Sequence, residues 1–201
     1  MLPAGCGIFV LGTDCVLRVV FFVQKGVFSM YTQRNKLRFL MQASLIAAIY
    51  TALCLLLQPI SFGFGGVQLR VAEALTLLPV LMPAAVPGLT VGCLLSNIMG
   101  GATMLDVVFG TLTTFAAAVV TRRLRDKPLL AAAPPVLFNA VVVGALLRYA
   151  YGVPMHLLLC MASVGLGQLV ACYALGLPML KGLNRLPQKY FVTDTMVKRN
   201  K

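Results

Sequence analysis

Among the residues able to do chemistry, two stand out. The chain has five acidic side chains, and Glu73 and Asp106 fall within or at the ends of long apolar runs, where a carboxylate needs a partner, a cavity or the water interface. Glu73 sits in a polar block, Gln68-Leu69-Arg70-Val71-Ala72-Glu73-Ala74-Leu75-Thr76, that gathers amide, guanidinium, carboxylate and hydroxyl just after a glycine-rich stretch. Asn97, Asn139 and Gln168 add uncharged hydrogen-bonding groups to otherwise oily segments. Two readings stand for each acid. Either they line a solute pocket, or Glu73 pairs with Arg70 three residues earlier while Asp106 caps a helix facing water. The amides likewise either line a pocket or bond across helices.

Other chemistries lack their motifs. The glycine-rich stretch from Ser61 to Gly66 has no Gly-Lys-Ser/Thr ending to cradle nucleotide phosphates, so no ATPase is encoded. The single His156 has neither HExxH spacing nor a Gly-x-Ser-x-Gly nucleophile turn to serve, which disfavours a membrane hydrolase and makes it an interfacial histidine. The six cysteines show no CxxC spacing, and Cys54, Cys93, Cys160 and Cys172 lie in apolar runs as small hydrophobes. No enzyme is indicated, and no cofactor is expected in this chain.

These side chains are carried by an unusual background. Of 201 residues, 60% are hydrophobic and 11% charged, which excludes an ordinary soluble domain. Nearly uncharged runs predict helices over residues 38–57, 70–84, 86–101, 105–121, 128–149 and 154–180, an all-α integral membrane protein with six crossings. The second and third runs are short. Pro79, Pro83, Pro87 and Gly88 between them break any single continuous helix, so a hairpin is expected there. Charge supports that count: with six crossings every Lys and Arg except Arg70 and Arg148 falls on one side, which places both termini in the cytoplasm. The net charge of +12 thus reads as topology rather than as a nucleic-acid surface, because the basic residues cluster between apolar runs. Residues 1–29 fit the pattern poorly, since Asp14 and Arg18 interrupt their apolar run. They are expected to be a disordered extension or a misassigned start, with Met30 the functional beginning and 30–201 a single membrane domain.

The first predicted helix carries Ala43, Ala47 and Thr51 at four-residue spacing, with Ser44, Ala48 and Ala52 on the neighbouring line. Small side chains on one stripe allow close approach of another helix, within this chain or from a partner.

The order of polar residues, prolines and glycines in QLRVAEALTLLP (68–79), PAAVPGL (83–89), GCLLSN (92–97) and DVVFG (106–110) resembles the QueT family. These are queuosine-precursor-binding S components of energy-coupling-factor (ECF) transporters. The likeness runs from about Met30 to Leu180; its departures are the extension and Ala72, where relatives often have serine. It implies a multi-pass subunit of a prokaryotic plasma membrane that captures a 7-deazaguanine base such as preQ0 or preQ1 from outside. A transmembrane coupling subunit (T component) and two cytoplasmic ATPase subunits, which use the ATP, would drive transport. It further implies that Ala43, Ala47, Ala48 and Ala52 dock on the coupling subunit and that the loop 58–69 acts as a lid. Glu73 is the first choice to accept the paired N–H donors of the base, with Asp106 second or the counter-charge for an aminomethyl group. Gln68, Asn97 and Asn139 are expected to meet the remaining polar atoms, Phe62 or Phe64 to stack on the ring, and Arg70 to orient Glu73. The rivals are an S component for another vitamin-like solute and an autonomous proton-coupled carrier using Glu73 and Asp106 as relays.

Overall fold

The computed structural model describes residues 33–61 and 71–185, with side chains described at 36–57 and 71–185. The expected extension over 1–29 lies outside the described residues, as do Phe62, Phe64, Gln68 and Arg70.

Among the described residues the structure is all helical. Helix α1 (Gln33–Ser61) is followed by a 3-10 helix, Val71–Val80, and by α2 (Ala85–Met99). A π-helical turn, Asp106–Gly110, leads into α3 (Thr111–Arg123). The short α4 (Pro128–Ala131) and α5 (Ala133–Tyr149) make up one apolar stretch, Pro128–Tyr149. A last stretch, Leu157–Asn184, joins α6 (Leu157–Leu169), a π segment (Val170–Gly176) and α7 (Leu177–Asn184). Three stretches, Lys36–Leu57, Pro128–Tyr149 and Leu157–Asn184, are long and apolar enough to cross a membrane.

Their outward faces are apolar as well. On α1, Leu37, Met41, Leu45 and Leu56 are all more than half exposed, while Phe39, Ile46 and Tyr50 on the opposite side are buried. A water-facing helix would put its polar residues outside. Here both sides are oily, the arrangement of a bundle surrounded by lipid.

The expected helix over 70–84 is corrected in kind. Val71–Val80 winds as a 3-10 helix with Pro79 inside it, and residues 81–84 form a turn before α2. At about 2.0 Å rise per residue, a 3-10 helix reaches further per residue than an α-helix, so a short segment spans more depth. Proline favours this: Pro79 has no N–H to donate, and Pro87 lies in the first turn of α2, where helix N–H groups have no partner anyway. The carbonyls left over at the end of the 3-10 helix are taken up from α3, whose Arg122 donates to the Pro79 and Val80 oxygens at 2.8 and 3.1 Å. Thr76 Oγ1 donates back to the Glu73 carbonyl at 2.6 Å, reinforcing the tight winding where side chains three apart line up. The last helix differs from its expected 154–180 bounds by starting at Leu157, after the loop holding Pro154, and by running on to Asn184.

Helices α1 and α2 pack closely, and the small-residue stripe of α1 explains how. A Cβ placed on Gly88 would lie 2.7 Å from the Ala43 carbonyl, and one on Gly92 would lie 3.0 Å from the Ala47 carbonyl. Thr51 Oγ1 donates to the Gly92 carbonyl at 3.1 Å, a hydrogen bond that only close backbones permit. Ala43 and Ala47 are buried in this contact. Of the four alanines expected to form a docking face, these two hold α1 to α2 inside the chain. Ala48 and Ala52, on the neighbouring line with Ser44, remain exposed. Gly88→Ala should force these helices apart and cost about 1–3 kcal/mol. Thermal melting of the purified variant checks this, and an unchanged midpoint would refute the close approach.

Candidate functional site

The 3-10 helix carries Glu73 into the interior, where the residue is 1% exposed. Tyr50 of α1 donates its hydroxyl to Glu73 Oε1 at 3.0 Å, and Asn139 of α5 donates Nδ2 to Oε2 at 3.4 Å. The Glu73 carbonyl accepts from Thr76 and, at 3.8 Å, from the Cys172 thiol, which also donates to Gln168 Oε1 at 3.8 Å. Glu73, Asn139 and Gln168, separated by up to 95 positions in the sequence numbering, thus fall within one buried polar network. Such groups are tolerated in an oily interior because they satisfy one another.

Beside this network lies a cavity of about 450 Å³, the size of a small-solute pocket. Its walls include Tyr50, Cys54 and Ala72 on one side of the sequence, and Ser96, Asn97, Asp106, Val143 and Tyr151 from later elements. Tyr50 belongs to both the wall and the network, whereas Glu73 and Asn139 are not among the lining residues. Among the described residues the carboxylate on the cavity is that of Asp106.

The π turn builds the Asp106 corner. A π turn is wider than an α turn and recurs at functional positions. Asn97 Nδ2 donates to the Asp106 carbonyl at 3.3 Å, fixing the turn to α2. Gly110, at the end of the turn, leaves room for the carboxylate: a Cβ there would sit 2.7 Å from Asp106 Oδ1. Oδ2 accepts from the Tyr151 hydroxyl at 2.8 Å. Oδ1, though buried, has no hydrogen-bond partner among the described residues, nor has the nearby-in-sequence Thr111 Oγ1. A buried carboxylate oxygen without a donor is costly.

Tyr151 lies in the loop after α5, outside the long helices. Burial foremost, then its hydrogen bond to Asp106 and the charge there, push its phenol above the ordinary tyrosine range. The sign matters for the bond: a raised value keeps the proton on Tyr151, so it donates throughout the physiological range.

Sequence reasoning picked out Glu73, Asp106, Asn97 and Asn139 because polar groups are conspicuous in apolar runs. It missed Tyr50 and Tyr151. Each had one signal, a phenol in or beside an oily run that must find a hydrogen-bond partner, but nothing local named Glu73 or Asp106 as that partner. His156 is exposed, and its carbonyl accepts from Leu159 and Cys160 at the start of α6.

An apolar-faced helical bundle holding a solute-sized cavity with a carboxylate, an amide and two phenols in its wall defines a membrane protein that handles a small polar solute. The family model described as QueT transporter matches residues 40–185, and the chain belongs to that family. It is a membrane transport subunit of the S-component kind rather than an enzyme. No match was found among curated proteins or among solved structures.

Removing the phenol that holds Glu73 tests the network. Tyr50→Phe is expected to cost about 1–3 kcal/mol of stability, the range for depriving a buried acceptor of its donor. Denaturation in detergent measures it, and no change would mean that the Tyr50 bond contributes nothing.

Proposed function

We propose that this chain is the substrate-binding S component of an ECF importer for queuosine precursors, 7-deazaguanine bases such as preQ1 or preQ0. It crosses a prokaryotic plasma membrane six times with both termini in the cytoplasm. The base enters from outside, and a T component with two ATPase subunits supplies the transport energy. Family membership supports the capture role. The observation that carries the substrate reading is Asp106, a buried carboxylate on a cavity of about 450 Å³ with one oxygen lacking a donor among the described residues.

A guanine-like ring offers a ring N–H beside an exocyclic amine, and in a low-dielectric pocket a carboxylate is the strongest acceptor for such donors. Asp106 takes that part, and Asn97, on the same wall, meets a further polar atom of the ring. Glu73 acts from behind the wall: with Asn139 beside it, it accepts from Tyr50, one of the residues lining the cavity.

Asp106→Asn should weaken binding of preQ1 by roughly thirtyfold, equivalent to about 2 kcal/mol, the scale of a hydrogen bond to a charged group. Glu73→Gln should weaken it less, since it acts through Tyr50. Calorimetric titration of the purified proteins decides this. Failure of the unaltered protein to bind either base would overturn the substrate reading.

Ala48 and Ala52 present small side chains outward on α1, and with Ala43 and Ala47 buried they are the pair left to meet the coupling subunit. Ala48→Leu should spare base binding and reduce co-purification with the coupling subunit. Undiminished co-purification would assign docking to another face.

A further inference from the structure

Two loops meet at one end of the bundle, residues 100–103 after α2 and residues 150–156 after α5. Both contribute to the cavity wall, the first through Gly100, Gly101 and Ala102, the second through Tyr151 and Val153. One hydroxyl joins them. Tyr151 Oη donates to Asp106 Oδ2 at 2.8 Å and accepts more loosely from the Thr103 N–H at 3.4 Å. Outside that stitch, each loop is tied to its own helix: Ala102 N–H donates to the Asn97 carbonyl at 2.9 Å, and Arg148 donates to the Val153 carbonyl at 3.0 Å. Each loop also contains a left-handed glycine, Gly101 at φ 70° and Gly152 at φ 65°, with nothing within 4 Å of either added Cβ. Such positions turn easily for glycine and poorly for any other residue.

We propose that Tyr151 is the latch of the cavity: its hydroxyl, donated to Asp106 Oδ2 and accepting from the Thr103 N–H, fastens the two glycine-hinged loops together. The inference rests on the cavity being the binding site, and its chemistry follows from the lone pairs. Because Tyr151 occupies one carboxylate oxygen and leaves the other, the latch stays closed whether the cavity is empty or filled. A fastening present in both states cancels from the equilibrium constant but enters both rate constants. That pattern separates a latch from a direct solute contact, which would alter dissociation alone.

The test has a part that needs no solute. Cys54 is partly exposed and lines the cavity, so the change in its rate of alkylation by N-ethylmaleimide, followed by peptide mass mapping, reports how far the loops restrict access. In Tyr151→Phe, losing one hydrogen bond should speed Cys54 labelling about fivefold. Gly152→Ala, which disfavours the closed loop without touching the hydroxyl, should speed it as well. For preQ1, both association and dissociation should quicken by a similar factor in Tyr151→Phe, with Kd changed by less than about threefold. Unchanged labelling in both variants, or a rise in dissociation alone with a matching loss of affinity, overturns the latch. If labelling quickens but the unaltered protein binds no deazaguanine base, the latch stands and the substrate reading falls.

Discussion

A carboxylate removed from water must find donors, and the interior of this bundle is arranged around that demand. Glu73 and Asp106 meet it differently. Glu73 has Tyr50 on one oxygen and Asn139 on the other, and lies behind the cavity wall. Asp106 has Tyr151 on one oxygen, no partner among the described residues on the other, and a place on the wall itself. The first is closed into the protein's own framework. The second is not closed in this way.

The helices that position the two acids are not regular, and the irregularities fall where the acids are. Glu73 rides on a 3-10 helix of mostly buried residues, held at its far end by Arg122 of α3. Asp106 opens a π turn whose glycine yields space to its side chain. Both departures from α geometry cost backbone regularity and deliver a polar group to a position that a straight α-helix would not reach. A second π segment, Val170–Gly176, interrupts the last stretch, while glycine and alanine draw α1 and α2 together where lipid provides no hydrophobic drive for helices to associate.

The two alanine lines of α1 show how one sequence pattern divides between internal contact and exposed surface. Ala43 and Ala47 face α2 and are spent on internal contact, while Ala48 and Ala52, rotated by one position, stay outside. Spacing alone treats the lines alike, because both have the same period. What distinguishes them is the direction from which α2 approaches, and that direction is set by Gly88 and Gly92 some 40 residues later.

Composition and patterning by themselves determined that this chain is helical and oily, that the prolines between 79 and 87 interrupt its second apolar region, and that Glu73, Asp106, Asn97 and Asn139 need an explanation. Those conclusions are local, since they depend on run length, missing amide donors and the cost of a polar group in an apolar run. Only the tertiary structure decided which acid reaches the cavity, that Tyr50 and Tyr151 serve the two carboxylates, and which alanines are buried. Each of those outcomes is a hydrogen bond or contact between residues 23 to 66 positions apart, made by helices whose relative placement no single segment encodes.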